Sequence, residues 1–338
     1  TDVHAAGDDI STAENPDEVL NELPALRAKY GPAPNHRVTD NRATYQQIVD
    51  ELEGRRPQAT VRFGVPVLDD RVKLRPGVLC TVAASTSCGK SVLLCQAAIE
   101  CALADRVALV FSFEMSHREL VQRWASYLSR QAFAVADDGS WIGGDRTQWL
   151  GGMSRVERFE ARGRLHTFDS TGNVEAIAAQ ATAYAAVNQV ALIVVDYLQI
   201  VPPTATRNVT REQQVSHVAN ALKRLAAELK VPIITASQLN DDGRLRESRD
   251  IANASDVVLK LLPEDMQTNE SDLEISIVKN RSGAAGLPLR AWWEKPLFTI
   301  RDKDAYDLAN YDPALDVQEG DLETIVARER DKQREMWS

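Results

Sequence analysis

The stretch Ala83-Ala84-Ser85-Thr86-Ser87-Cys88-Gly89-Lys90-Ser91 has residue types and spacing suited to one task, holding phosphate. Small residues let backbone N–H groups curl around a β-phosphate at the positive end of a following helix. Lys90 then reaches the β- and γ-phosphates, and the Ser91 hydroxyl is placed to ligate Mg²⁺. The flanks agree with this reading. Val78-Leu79-Cys80-Thr81-Val82 reads as a buried strand and Val92–Ala98 as a helix, the strand–loop–helix context that such a loop needs. Ala84 stands where the motif has its first glycine. The chain is expected to bind a nucleoside triphosphate.

Further candidates follow apolar runs. Asp196 ends Leu192-Ile193-Val194-Val195, the placement of a carboxylate that holds Mg²⁺ through water or Ser91. Glu114 ends Val110-Phe111-Ser112-Phe113 and is placed to polarise an attacking water as general base. Gln238 ends Ile233-Ile234-Thr235-Ala236-Ser237, within reach of a γ-phosphate, and Lys279 and Arg281 follow Ile275-Ser276-Ile277-Val278. In open α/β sheets chemistry collects at the carboxyl ends of strands. One carboxylate there is ordinarily a solvated terminus; three polar residues at successive strand ends behind a phosphate loop favour a shared site.

The elements that must position these residues lie between about 61 and 300. Val107–Phe113, Ala191–Val195 and Val231–Ala236 are continuous apolar runs, as in strands buried on both faces of a parallel sheet. Helix-forming stretches such as Val174–Val187 and Glu212–Leu229 separate them. Val257–Leu262 and Leu273–Val278 alternate, which predicts an antiparallel extension with one wetter face. The fold class is α/β, a twisted, mostly parallel sheet with helices on both sides. Ahead of it, Tyr45, Ile48, Val49 and Leu52 form an apolar stripe at helical spacing, closed by Glu53-Gly54-Arg55-Arg56-Pro57. That stripe packs either on its own domain or on a neighbouring subunit. The expected partition is an acidic arm (1–40) with a short helix near Asp17–Leu26, a linker helix (41–60), the main domain (61–300) and an acidic tail (301–338).

The 338 residues carry a formal charge of −10, held entirely by residues 1–40 and 301–338. Residues 41–300 are balanced, so local basic loops there can still meet phosphates. Without a long apolar run or a signal-like start, the expectation is a cytoplasmic protein with no membrane partner. Cys80, Cys88, Cys95 and Cys101 crowd the phosphate loop without metal-ligand spacing, and a zinc site or disulfides are not expected.

Phe111-Ser112-Phe113-Glu114-Met115, Val194-Val195-Asp196-Tyr197-Leu198-Gln199, Ala236-Ser237-Gln238-Leu239-Asn240, Leu245-Arg246-Glu247-Ser248 and Lys279-Asn280-Arg281 occur in that order. With the phosphate loop, they resemble the motor domain of DnaB-type replicative helicases, the RecA-fold hexameric family. The resemblance implies ATP and Mg²⁺ as cofactors, with Ser85, Thr86, Ser87, Cys88, Gly89, Lys90 and Ser91 around the phosphates. It makes Glu114 the catalytic base, gives Ser91 and Asp196 to the metal, and makes Gln238 the γ-phosphate sensor. Lys279 and Arg281 would reach into the next subunit's site. Arg123 falls on a family arginine and is given no role.

By the same resemblance, Thr204–Arg211 and Asp241–Asp250 face single-stranded DNA in a ring's channel. They bring Arg207, Arg211, Arg244, Arg246, Glu247 and Arg249; Arg249 replaces a family glycine. The family's N-terminal helical collar, which meets primase, has no room in residues 1–40. That leaves a trimmed chain or a minimal form of the kind phages and plasmids encode. The Tyr45–Leu52 stripe matches the family's linker helix, which favours docking on an adjacent subunit. Leu322–Trp337 is a mixed-charge helix candidate, either a surface helix or a dock for a loader or other partner. Trp292 and Trp293 are expected to pack in the core or at a sheet edge.

These readings combine into a ring-forming, ATP-driven helicase moving 5′→3′, a homo-oligomer and by resemblance a hexamer, with loader or primase as further partners. A RecA-fold ATPase that is stimulated by DNA without unwinding it, and a regulatory NTP-binding oligomer without nucleic acid, are the alternatives. Cys88, alone of the four thiols on the loop, is expected to lie near bound nucleotide. Alkylating it should slow hydrolysis and ATP should protect; unchanged turnover after stoichiometric labelling of Cys88 would exclude that proximity.

Overall fold

The computed structural model describes residues 49–50, 60–168, 172–196, 210–239, 248–286 and 288–304, and the chain divides into two units, Thr1–Gln58 and Ala59–Ser338. In the first unit, Val49 and Asp50 are helical. The rest of the Tyr45–Leu52 helix, the acidic arm and Leu322–Trp337 lie outside the described residues. So do Arg207, Arg244, Arg246 and Glu247, and the side chains of Arg211 and Arg249.

Among the described residues of the second unit nine strands form one sheet, in the order β3-β2-β4-β5-β1-β6-β7-β8-β9. Six are parallel: β1 (Leu79–Ala84), β2 (Val107–Ser112), β3 (Leu165–Phe168), β4 (Val190–Asp196), β5 (Ile233–Gln238) and β6 (Val257–Pro263). Then β7 (Glu270–Asn280), β8 (Pro288–Glu294) and β9 (Thr299–Asp302) follow antiparallel to one another. The predicted antiparallel extension thus begins one strand later than expected, because β6 pairs parallel with β1 on one side and antiparallel with β7 on the other. Its first three residues, Val257-Val258-Leu259, are buried like those of the central strands, and alternation starts only at Lys260.

Seven helices are described: α1 (Pro66–Arg71), α2 (Lys90–Leu103), α3 (His117–Ser129), α4 (Arg146–Ala161), α5 (Val174–Val187), α6 (Arg211–Leu229) and α7 (Ser248–Ala254). They divide the apolar side chains into two cores. Cys80, Val82 and Ala84 of β1, Val110 of β2 and Leu192 of β4 join Leu93, Leu94 and Trp124 of α2 and α3 in one. Leu79, Leu109, Phe111 and Ile193 join Ile177, Leu222 and Ile251 of α5, α6 and α7 in the other. Alternate residues of each central strand serve opposite cores, so these strands read as unbroken apolar runs.

Helix starts follow side-chain chemistry. Ser116 and Glu119 form a capping box at α3, Thr210 and Gln213 another at α6, while Asp145 and Asn173 cap α4 and α5. α1 has no side-chain cap and begins on Pro66, and α2 has none either. The N-cap of α2, Gly89, has φ of 84° and no side-chain cap, which leaves the first N–H groups of the helix facing the loop.

Two polar clasps, one half-buried and one buried, hold the domain's borders. Asp69 in α1 accepts hydrogen bonds from Phe63 N (2.6 Å) and Gly64 N (3.0 Å). On α2, Gln96 Nε2 donates to Ile300 O (2.8 Å) and Gly64 O (3.2 Å), and Ile300 N donates back to Gln96 Oε1 (2.9 Å). At the far edge Phe111 stacks on Phe168 with centroids 4.6 Å apart and Phe111 is fully buried. Phe111→Ala should cost about 3–5 kcal/mol. A fall in the urea midpoint at constant slope would show it; a loss below about 1 kcal/mol would mean that the second core collapses around the gap.

Candidate nucleotide-binding site

Where β1 ends, the chain turns through Ser87 and Gly89, both at positive φ (61° and 84°), and enters α2. Ala84 is the last residue of β1, extended and fully buried, paired with Gln238 in register. An extended residue has no need of glycine, so alanine at the motif's first position leaves the loop intact. The Lys90 ammonium donates to Ala84 O (2.9 Å) and Ser85 O (2.6 Å), which folds it over the loop. Burial lowers its pKa, and the nearby Asp196 and Glu114 carboxylates oppose that shift.

Neighbouring strand ends bring the other groups. Ser112 Oγ donates to Met115 O (2.7 Å) and accepts from Met115 N (3.0 Å), a tight turn that sends Glu114 out of the end of β2. Ser112 and Asp196 are register partners, and Phe113 N donates to Asp196 O (2.9 Å), so the two carboxylates sit on adjacent strand ends. Gln238, ending β5, donates through Nε2 to Thr86 Oγ1 (2.7 Å). Glu114, Gln238, Arg123 and Thr86 through Val92 line one cavity of about 410 Å³.

Asp196 is only 3% exposed, and among the described residues neither carboxylate oxygen is within hydrogen-bond geometry of a donor, the Ser91 hydroxyl being close enough to influence its pKa. Burial raises its pKa from 3.8 to about 6; Ser91, Arg123 and Lys90 pull it down and Glu114 adds to the rise. Two orphaned carboxylate oxygens beside a serine hydroxyl are hard oxygen donors, the set that suits Mg²⁺. Ser91 and Asp196 are therefore the residues that could hold that ion.

Four residues had no place in the site as read from sequence, yet line the cavity: Met266, Trp293, Lys295 and Phe298. Strand direction supplies the missing signal. Since β6 runs parallel to β1, and β8 runs antiparallel to β7 and so parallel to β1, both deliver their following residues to the phosphate-loop edge. Lys295 sits over the Trp293 ring (5.1 Å to the centroid) and donates to Asp265 O and Thr268 O (2.9 and 2.6 Å). The Arg123 guanidinium lies 5.0 Å from the Phe298 ring centroid. Trp293 is buried as expected for a strand tryptophan, with its indole also against Gly89. Cys88 lines the cavity but is only 7% exposed, its thiol against Thr86 O and Met266 Sδ, and burial raises its pKa.

Strand direction also corrects one expectation. Lys279 and Arg281 were grouped with the carboxyl-edge residues, but β7 is antiparallel to β6, so its carboxyl end lies on the opposite edge. Lys279 Nζ donates to Ala252 O (2.6 Å) and Arg281 to Asp256 Oδ1 (3.1 Å), beside the start of β1. The length of β1, about 20 Å, separates them from their own phosphate loop.

The family model described as the DnaB-like helicase C terminal domain matches residues 61–297. The chain belongs to this DnaB-like family. It is 30% identical over 271 residues to the replicative DNA helicase DnaB of Mycoplasma genitalium, covering 72% of this chain and 55% of that protein. The DnaB of Pasteurella multocida is 30% identical over 259 residues, covering 71% and 55%. The DnaB-like chain thus spans about half the length of the curated relatives it matches. Among solved structures it is similar to one described as an ATPase domain, with a TM-score of 0.65 at 23% identity over 79% of this chain and 99% of that one. It is also similar to one described as a DnaB-like replicative helicase and its interactions with primase, with a TM-score of 0.63 at 21% identity over 85% and 71%. The fold of this DnaB-like domain is that of RecA-like ATPase cores.

A carboxyl with a raised pKa in the fold binds its proton more tightly there than in the unfolded chain. Its ionisation therefore costs stability increasingly as pH rises from 3.8 through about 6, on the order of 3 kcal/mol above that window. Asp196→Asn should raise the melting temperature of the protein without nucleotide at pH 7.5, with the gain shrinking toward pH 4. An equal gain at both pH values, or none at pH 7.5, would contradict a strained carboxylate.

Proposed function

We propose that this chain is the ATP-driven motor of a DnaB-type replicative helicase, acting in the cytoplasm. It forms a homo-oligomeric ring, a hexamer in the family's manner, and moves 5′→3′ on single-stranded DNA while displacing the other strand. The partition goes with it: residues 61–300 are the motor, 41–60 a linker helix docking on the adjacent subunit, and the acidic ends lie outside the motor.

One observation carries the reading. The same cavity gathers the phosphate loop, Glu114 and Gln238, while the basic pair Lys279 and Arg281 stands on the opposite sheet edge. A pair so placed cannot serve its own nucleotide and suits a neighbour's. Backbone N–H groups at the start of α2 bind phosphate and Lys90 moves from the loop carbonyls to the β- and γ-oxygens. Ser91 and Asp196 would hold Mg²⁺, which would supply charge neutralisation at the phosphates. Glu114 orients and deprotonates the attacking water, Gln238 contacts the γ-phosphate, and the neighbour's Arg281 stabilises charge on the transferring group. Such a residue supplied in trans contributes roughly 10³–10⁵ in rate. Arg207, Arg211, Arg244, Arg246 and Arg249, with Glu247 among them, are assigned to the channel, where cations track a phosphate backbone. Loader and primase are the further partners proposed.

Turnover per subunit should rise with protein concentration and again with single-stranded DNA, and DNA binding should weaken as salt rises. Glu114→Gln and Arg281→Ala should each be nearly inactive alone and regain activity when mixed, since each supplies what the other lacks. Turnover flat in concentration, with no recovery at any mixing ratio, would mean a self-contained site.

A further inference from the structure

Arg281, just beyond β7, is held by a carboxylate that the nucleotide cavity does not use. Asp256, between α7 and β6, is buried and accepts from three directions. Its Oδ2 takes Leu79 N (2.9 Å) and Lys223 Nζ (2.6 Å), and its Oδ1 takes the Arg281 guanidinium (3.1 Å). The same guanidinium donates to Asn253 O (3.3 Å), and Arg281 N donates to Asp256 O (3.0 Å). Next to it the Ser255 hydroxyl, bonded to Ile251 O at 2.8 Å, meets Thr81 Oγ1 of β1 at 2.7 Å.

A structural ion pair would cancel its charges. Here one carboxylate faces Lys223 and Arg281 together, with Lys279 close by on the carbonyls of Ala252 and Asn253. The cluster keeps an excess of positive charge, and the Arg281 side chain is 54% exposed. We propose that Asp256 is a positioning residue for hydrolysis. It fixes the direction in which Arg281 is offered to the neighbouring subunit and ties that direction to β1, whose other end is the phosphate loop. This rests on the shared-site reading of Arg281 given above. An unanchored arginine samples many rotamers and must be ordered in the transition state, whereas one held at two points is ordered beforehand. Because Asp256 also accepts from Leu79 N, it cannot swing without breaking a hydrogen bond of β1.

Asp256→Asn keeps the shape and one acceptor oxygen. It should lower kcat about 10²-fold, the scale of a misplaced catalytic group, while oligomer size and fluorescent-nucleotide affinity stay unchanged. Lys223→Met removes the other cation from the same carboxylate and should leave kcat within about twofold, whatever it does to the melting temperature. Mixing Asp256→Asn with Glu114→Gln subunits should restore turnover, because the latter bring a well-held Arg281 to intact cavities. Asp256→Glu, which keeps the charge and displaces the guanidinium, gives the same readout if Asp256→Asn does not assemble. Full turnover in both Asp256 variants, or an equal loss in Lys223→Met, overturns the proposal. Full turnover in Arg281→Ala removes the shared-site reading instead.

Discussion

A sheet covered by helices on both faces can show polar chemistry only along the two edges where its strands begin and end. The functional groups described in this domain obey that constraint. Interior positions of β1, β2, β4 and β5 are filled with apolar or small side chains shared between two cores. Polar groups are displaced to Glu114, Asp196 and Gln238 at one edge, and to Asp256, Lys279 and Arg281 at the other. The separation of the two sets is a consequence of burial as well as of catalysis.

The same constraint explains how much the sequence could reveal. Phosphate loop, Glu114, Asp196 and Gln238 were legible because each follows an apolar run, and parallel runs end on one edge. The direction of β7 was not legible. Alternation in Leu273–Val278 indicates a half-exposed strand but carries no sign, so the edge reached by Lys279 and Arg281 could not be read. Lys295 and Met266 were missed for the converse reason, since only pairing shows that β8 and β6 end beside the phosphate loop. Phe298 and Arg123 meet across a long sequence separation, through a contact no local pattern encodes.

Electrostatics at the phosphate-loop edge is arranged around strain. Asp196 is buried with no hydrogen-bond donor in place among the described residues, and Lys90 is desolvated over loop carbonyls. Each group is uncomfortable alone and each has the charge that a metal–phosphate pair would satisfy. The basic edge is arranged in the opposite way, with Lys223, Arg281 and Lys279 already bonded to a carboxylate or a helix-end carbonyl. One edge is poised to take up a ligand, and the other is set to present charge outward.

Gln96 shows where the folding unit ends. Its amide bonds Gly64 near the beginning of the domain and both backbone groups of Ile300 near its close. The family match stops at residue 297, just short of β9. Ile300 is fully buried and belongs to the core under the phosphate-loop helix. A fragment cut at that match boundary would remove both bonds between Gln96 and Ile300, leaving the amide only its bond to Gly64 O and its carbonyl oxygen without that donor. An excised motor has to include Ile300.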